Sequence, residues 1–226
     1  MTDATGNGES AQDFYGRWAR LYDVIARRTP GIGRLRSRVA NTCRLEPGDT
    51  VVEMGCGTGA NLPNLSKAVG PTGTVVGLDF TDGVLRRARA ATVGYDNVHV
   101  LRADATAPPI AGEIDAVIAT FVVGMLENPV SAVDEWCDLV EPGGHVVLAN
   151  AARSDEPYGP AVNAVFRAVV VLSTPPTTRL RYEEDLVRTL DERIGAAHDR
   201  LRDRSSAVAH ETHLFGTVRL SGGRIE

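Results

Sequence analysis

The chain has 226 residues, 43% of them hydrophobic, which is enough for one compact domain with a sizeable core or for one domain with a small cap. Its formal net charge of −5, with acids interspersed among the basic residues, gives no general attraction for polyanions and argues against nucleic-acid binding. Cys43, Cys56 and Cys137 are too widely spaced for a metal or redox motif, so we expect no metal site and a reducing, cytoplasmic location.

The amino-terminal region divides into a polar tail and two predicted helices. Residues 1–12 contain acids and no basic apolar run, so they are predicted to be a disordered tail and not a signal peptide. Apolar residues then recur at helical spacing up to Pro30-Gly31, which predicts an amphipathic helix, and a second helix is predicted near 33–43. We interpret residues 13–45 as a helical lid.

A glycine-rich turn after the first predicted strand is the most informative feature of the sequence. The run Thr50-Val-Val-Glu-Met-Gly-Cys-Gly-Thr-Gly-Ala-Asn61 passes from a strand through three glycines into a helix near 60–69. Glycines permit a tight turn and close approach of a ligand, and a helix start offers free N–H groups. The pattern predicts a nucleotide-cofactor loop, although Gly55-x-Gly57-x-x-Ala60 followed by Asp79 also satisfies the dinucleotide fingerprint.

Acids at the ends of three successive predicted strands favour another ligand. A carboxylate at Glu53 would repel the pyrophosphate of a dinucleotide and attract a cationic ligand. Asp79 and Asp104 end the second and third strands, where open α/β sheets bind ligands, and are placed to accept ribose hydroxyls and a purine amino group. Two simpler interpretations stay open, because Asp79 could be a helix N-cap and Asp104 could organise a turn before Pro108-Pro109.

Strand and helix patterns alternate through the middle of the chain. Strands are predicted near 51–54, 75–79, 98–102, 114–120 and 145–149, and further helices near 82–91 and 130–140. This alternation specifies an α/β fold, a doubly wound and mostly parallel sheet with helices on both faces. Residues 151–182, which include Pro175-Pro176, are predicted to form a cap insertion over the substrate side.

With these motifs in place, the chain resembles the class I S-adenosylmethionine-dependent methyltransferases. The similar segments, in motif order, are Val51–Gly59, Val76–Phe80, Arg102–Ala105, Ile114–Ile118 and Glu141–Leu148. Gly77–Thr81 and Tyr15–Asp23 most resemble the ubiquinone/menaquinone and phospholipid N-methyltransferase branch. The chain departs from many relatives at Glu141, where they have a basic residue, and at Leu126-Glu127, where they have a histidine.

The resemblance implies a Rossmann-like methyltransferase domain over residues 46–226 with S-adenosyl-L-methionine as cofactor. A helix near 183–193 and alternating runs near 197–204 and 211–219 fit the antiparallel hairpin that closes the seven-stranded sheet of this family. The cofactor-binding residues expected from the matching motifs are Tyr15, Tyr22, Glu53, Gly55, Cys56, Gly57, Gly59, Asp79, Phe80, Asp104, Ala105 and Thr120.

The expected function is methyl transfer to a small apolar molecule, such as a quinone precursor or a lipid head group. The alternatives are a small polar metabolite or natural product as acceptor, a non-catalytic regulatory protein that binds the cofactor, and a nicotinamide dehydrogenase. Tyr22 and Asp23 are the only catalytic candidates near the motifs. The expected partner is the small-molecule substrate, without a transmembrane segment; a peripheral membrane contact, the oligomeric state and the acceptor atom stay open.

Four polar residues in the second half of the sequence have simpler expected roles. Asn150 follows the fifth strand and could orient a substrate or stabilise the turn. His198, His210 and His213 are assigned to the region of the closing hairpin, where surface roles are expected.

Overall fold

A seven-stranded mixed sheet, in the order β3-β2-β1-β4-β5-β7-β6, organises the computed structural model. The structure describes residues 31–151, 153–154, 156–157, 159–160, 162–164 and 186–226. The strands are β1 (Thr50–Met54), β2 (Thr74–Asp79), β3 (Val98–Arg102), β4 (Ala116–Thr120), β5 (His145–Ala151), β6 (Ser205–His213) and β7 (Val218–Ile225). The described helices are α1 (Ile32–Thr42), α2 (Leu62–Val69), α3 (Asp82–Ala91), α4 (Pro129–Leu139) and α5 (Leu186–Asp203), with a 3-10 turn at Val123–Met125.

The first five strands run parallel, and this brings their carboxyl ends to one edge of the sheet. β1 lies between β2 and β4, β3 extends the sheet beyond β2, and β5 extends it beyond β4. The chain therefore reverses its direction of strand addition between β1 and β4, and in open α/β sheets the crevice at such a point binds ligands. The predicted doubly wound, mostly parallel fold is confirmed.

Each face of the sheet is covered by its own set of helices. α1, α2 and α3 pack on one face, against side chains such as Val51, Ile118 and Val147. α4 and α5 pack on the other, against the alternate residues such as Val52 and Val117. Strands buried on both faces read as continuous apolar runs, which explains why the central strands were recognisable in the sequence. No described helix is long and apolar enough to cross a lipid bilayer.

The closing hairpin exists, but the predicted boundaries of its elements are wrong. Residues 197–203 continue α5, and the hairpin is built from β6 and β7 instead. Ile194, Ala197 and Leu201 are all buried, and their spacing of three and four is the period of a helix face. The assignment of His198 to the hairpin surface is wrong for the same reason, because this residue is 4% exposed on α5.

Two glycines inside β7 allow elements on both faces to approach the strand. A side chain on Gly222 would collide with Thr42 of α1, and one on Gly223 would collide with Ser205 and Leu201. The Gly-Gly pair therefore marks close packing within a strand and not the end of one.

Candidate active site

The glycine turn between β1 and α2 lies at the carboxyl edge of the sheet. Gly55, Gly57 and Gly59 adopt positive φ angles of 66°, 55° and 74°, which favour glycine. A Cβ on Gly55 would collide with Val122, and one on Gly59 would come within 3.0 Å of Ala88. A Cβ on Gly57 would meet no atom of the described residues within 4 Å. Gly55 and Gly59 therefore serve packing, whereas Gly57 borders open space.

Asp79 connects this turn to the end of β2. Its Oδ2 accepts a hydrogen bond of 3.1 Å from the Gly57 N–H, and its Oδ1 accepts one of 2.8 Å from the Thr81 N–H. Thr81 occupies the N-cap position of α3, so Asp79 is not the cap of that helix. Burial raises the pKa of Asp79, and the backbone donors at Thr81 and Gly57 oppose that rise. The Thr81 hydroxyl and the Phe80 N–H also donate to this carboxylate and oppose the rise.

A buried cluster of Glu53, Asn61 and Thr120 lies where β1, α2 and β4 meet. The Asn61 side-chain NH₂ donates to Glu53 Oε1 at 2.5 Å and to Thr120 Oγ1 at 3.1 Å. Asn61 occupies the N-cap position of α2 but makes no side-chain cap hydrogen bond there. Its side chain is committed to the cluster, although a capping bond is worth about 1 kcal/mol.

Two acceptor atoms of this cluster have no donor within the described residues. These atoms are Glu53 Oε2 and Asn61 Oδ1, and both are buried. A buried acceptor without a donor costs about 1–3 kcal/mol. The cluster therefore presents acceptors suited to a ligand that carries several N–H donors, above all a cationic amine.

The electrostatics of Glu53 fit the same kind of ligand. Burial raises its pKa to about 7, against the opposing effects of the Asn61 hydrogen bond and of Arg36, while Asp79 adds to the rise. A carboxyl group with this pKa is poised to ionise when a cation comes beside it.

Cys56 and Phe80 differ sharply in exposure. Cys56 is buried, and burial together with Glu53 and Asp79 raises the pKa of its thiol far above the usual range. A thiol held protonated is not a nucleophile. Phe80, directly after β2, is 64% exposed and presents an aromatic ring at the same edge of the sheet.

Asp104 and Ala105 lie beyond the end of β3. Asp104 Oδ1 accepts hydrogen bonds of 2.8 Å from both the N–H and the hydroxyl of Thr106, and these donors lower the pKa of Asp104. The carbonyl oxygen of Ala105 accepts a hydrogen bond of 2.7 Å from the Trp136 indole. Asp104 therefore organises its turn, which agrees with the simpler of its two interpretations from the sequence.

The end of β4 adds a strained residue to the edge. Phe121 has a positive φ of 60°, a conformation that side-chain-bearing residues rarely adopt. Its N–H donates to the Ala149 carbonyl at 2.7 Å, which holds this geometry in place next to Thr120. Such strain concentrates at ligand sites. Met125, 61% exposed, follows in the same connection.

Sequence reasoning overlooked Asn61 as a site residue. Asparagine is a common N-cap, so its position at the start of α2 had a sufficient local explanation. The signal was its position two residues after Gly59, the last glycine of the turn, at the start of the helix. Three predicted residues, Tyr15, Tyr22 and Asp23, lie outside the described residues.

A second polar cluster was also missed, under the carboxyl half of β5. The ring of His198 lies 2.8 Å from Ser221 Oγ through Nδ1 and 3.3 Å from Asn150 Oδ1 through Nε2. Burial, reinforced by Arg219, lowers the pKa of His198 to about 3, so its ring is neutral. Asn150, for which the sequence left a substrate-orienting and a turn-stabilising role open, contacts His198 of α5 through its side chain.

Comparisons with known proteins agree with this geometry. The model of the family described as "Methyltransferase domain" matches residues 52–148. The chain is 28% identical over 171 residues to a demethylmenaquinone methyltransferase of Staphylococcus aureus, covering 74% of this chain and 70% of that protein.

Solved structures share the fold. A SAM-dependent methyltransferase from Aquifex aeolicus superimposes with a TM-score of 0.63 at 18% identity, covering 93% of this chain and 98% of that one. The N-methyltransferase NodS from Bradyrhizobium japonicum gives 0.58 at 15% identity, covering 88% and 98%.

Proposed function

This chain is a class I S-adenosylmethionine-dependent methyltransferase, and we propose that its methyl acceptor is a small apolar molecule of the quinone-precursor or lipid-headgroup class. The observation that carries the acceptor class is the similarity, over about three quarters of the chain, to an enzyme named for demethylmenaquinone. The exposed Met125, in the connection after β4, is consistent with an apolar acceptor.

The buried acceptors fit the cofactor. Glu53 Oε2 and Asn61 Oδ1 would accept N–H bonds from the ammonium group of its methionine part, which satisfies both orphaned atoms. Gly57 leaves room for the ligand to pass close to the backbone. Asp79 would accept the ribose hydroxyls at the same carboxylate that holds the Gly57 turn.

The other predicted residues complete the assignment. Phe80 would flank the adenine, and the Asp104–Ala105 turn would meet the amino group of that base. Thr120 positions Asn61 through their hydrogen bond of 3.1 Å. Tyr15 and Tyr22 would close over the cofactor from the amino-terminal side.

The chemistry needs little from acid–base groups. When bound, S-adenosylmethionine supplies a methyl group on a positively charged sulfur, already activated for transfer to a nucleophile. The residues at the edge hold the reactants in line and exclude water, and positioning of this kind supplies about 7–11 kcal/mol. A hydroxyl or carbon acceptor must also lose a proton, for which Tyr22 and Asp23 stay the candidates.

Binding and transfer must be measured separately to test the proposal. Isothermal titration of the full chain with S-adenosylmethionine and with a nicotinamide dinucleotide distinguishes a methyltransferase site from a dehydrogenase site. Transfer of labelled methyl is then followed with a reduced demethylnaphthoquinone, with vesicles bearing ethanolamine headgroups, and with small polar amines and phenols.

Each outcome of the transfer panel has a distinct meaning. Transfer to the quinol or to the headgroup supports the proposal. Transfer to the polar molecules alone would replace it with the polar-metabolite alternative. Cofactor binding without transfer to any member would favour the non-catalytic regulatory protein.

A further inference from the structure

A second cleft lies at the carboxyl edge of β1 to β5, on the side of the sheet that β5, β7 and β6 form. Its volume is about 390 Å³, and it lies between α5, the end of β6 and the start of β7. Arg153, Arg202 and Arg219 line it together with Glu156 and Asp199. None of these residues belongs to the cofactor site described above.

The wall of the cleft is fixed by hydrogen bonds. Buried Ser154 donates from its hydroxyl to the Phe215 carbonyl at 2.7 Å, which ties the segment after β5 to the turn between β6 and β7. Asn163 pairs with both backbone groups of Ser154, at 2.8 and 2.9 Å. Arg153 and Glu156 therefore flank Ser154, whose side chain and backbone are both held by hydrogen bonds.

The charges around the cleft do not balance. Three arginines face two acids, which leaves one positive charge in excess. Arg202 is paired with Asp199 at 3.0 Å. Arg153 and Arg219 have no salt-bridge partner within the part of the chain that the structure describes, so two guanidinium groups remain for an anion.

Two imidazoles in the lining of the cleft have lowered pKa values. Ser221 Oγ lies 2.8 Å from His198 Nδ1 and 2.9 Å from His210 Nδ1. Burial and the charges of Arg219 and Arg202 lower the pKa of both rings. Burial is the larger cause of both shifts, and the smaller part that comes from the charges of Arg219 and Arg202 is the part that would also attract an anion.

The direction of each hydrogen bond in this cluster follows from which atoms can donate a proton. Because Asn150 Oδ1 only accepts, His198 donates from Nε2 and accepts at Nδ1 from the Ser221 hydroxyl. Ser221 Oγ then accepts from His210 Nδ1–H. His210, which is exposed, is left with Nε2 as its remaining polar atom, and protonation would turn that atom into a further donor.

We propose that this cleft binds one oxyanionic group of the methyl acceptor, a carboxylate or a phosphate ester, through Arg153 and Arg219. The inference rests on the lipid-headgroup part of the proposed function, because it assigns the cleft to the acceptor of that reaction and a reduced demethylnaphthoquinone carries neither anion. β7 is separated from β1 by β4 and β5, and three strand spacings place the cleft about 14 Å from the cofactor loop. An elongated acceptor can anchor its charged end here while its nucleophile lies beside the cofactor.

Anion binding is tested first, in the absence of any cofactor. The ring signals of His198 and His210 are followed by NMR while inorganic phosphate, phenyl phosphate or benzoate is added, with benzyl alcohol as the neutral match and sodium chloride holding ionic strength constant. We expect a saturable shift of the His210 signals with the anions alone. Arg219→Gln should weaken this binding about tenfold or more. Arg86→Gln, which removes an exposed charge from α3 on the opposite face, should not.

The link to the acceptor is tested by transfer kinetics. Arg219→Gln should raise KM for acceptors that carry a phosphate or carboxylate about tenfold or more, and leave the KM of neutral acceptors alone. The affinity for S-adenosylmethionine, measured by titration, should equal that of the parent, and circular dichroism checks the fold.

Each contrary result would reject a different part of the proposal. The absence of a saturable His210 shift, or equal effects of Arg219→Gln and Arg86→Gln, would overturn the anion site. Saturable binding of inorganic phosphate without a KM effect on anionic acceptors would overturn the acceptor assignment and leave a site for a free anion. Failure of the parent to bind S-adenosylmethionine would refute the proposed function instead, and the NMR result would be unaffected by it.

Discussion

Glu53→Gln should make the ligand-free protein more stable and a poorer binder of the cofactor. Burial raises the pKa of Glu53 from 4.5 to about 7. At 1.36 kcal/mol per pH unit, this corresponds to about 3 kcal/mol, an order-of-magnitude figure for a residue that is 2% exposed. Because the folded pKa is raised, stability is fully present below the unfolded pKa and is lost as the pH rises towards 7. Glutamine has the same shape and no proton to lose, so it avoids that loss.

The stability difference between variant and parent should therefore depend on pH. It should be near zero at about pH 4.5, where the parent carboxyl is protonated, and approach 3 kcal/mol in favour of the variant at about pH 8. Urea denaturation at both pH values measures it. Glu135→Gln is the matched control, because it removes the same charge from an exposed position on α4.

Cofactor binding should change in the opposite direction. Removing the carboxylate removes a charged hydrogen-bond partner worth about 1–3 kcal/mol, or about 5- to 150-fold in affinity at about pH 8. In the parent, affinity should fall about tenfold per pH unit below pH 7, while in Glu53→Gln it should vary much less. A variant that is less stable than the parent at about pH 8, or one that binds S-adenosylmethionine as tightly, would refute this reading of the site.

Two further predictions concern the glycine loop and Asp79, which supports it. Gly57→Ala and its control Gly94→Ala each place a methyl group at a positive φ, with no described atom within 4 Å, so both variants should lose about 1–2 kcal/mol of stability. Only the Gly57 variant should lose affinity for S-adenosylmethionine in a titration. Equal affinities of the two variants would mean that Gly57 borders no ligand. Asp79→Ala should weaken S-adenosylmethionine and S-adenosylhomocysteine alike by about tenfold or more, since both contain the ribose, and a loss confined to the methyl donor would show that Asp79 senses the sulfonium instead.

The sequence was most informative where the chemistry lies in contiguous residues. The glycine turn and the acids Glu53 and Asp79 fall on strand ends that apolar runs identify, and the parallel order of β1 to β5 brings them to one edge. The family and the cofactor follow from that local pattern. Asp104 also follows the end of β3, where its hydrogen bonds from Thr106 organise its own turn.

What the sequence did not reveal depends on contacts between distant segments. The start of β6 was missed because residues 197–204 read as alternating, while three buried apolar residues follow a helical period. The His198 cluster joins α5, β5 and β7, and no local pattern joins those segments. Asn61 was passed over because an asparagine before a helix is already explained as a cap, and only the structure shows that its side chain caps nothing.

Three departures from the lowest-energy local arrangement coincide at the carboxyl edge between β1 and β4. Glu53 is a carboxyl group buried with one oxygen lacking a donor within the described residues, Asn61 gives up its capping bond, and Phe121 is held at a positive φ. Each costs about 1–3 kcal/mol. Other strained residues, such as Leu214 and Phe215, lie in a tight hairpin turn that explains them. No turn explains the three at the edge, and sequences that fold well break local rules mainly where function requires it. Binding of a cationic ligand would recover the cost at Glu53 and Asn61, and so the same residues that weaken the free protein are the ones from which the cofactor should gain its affinity.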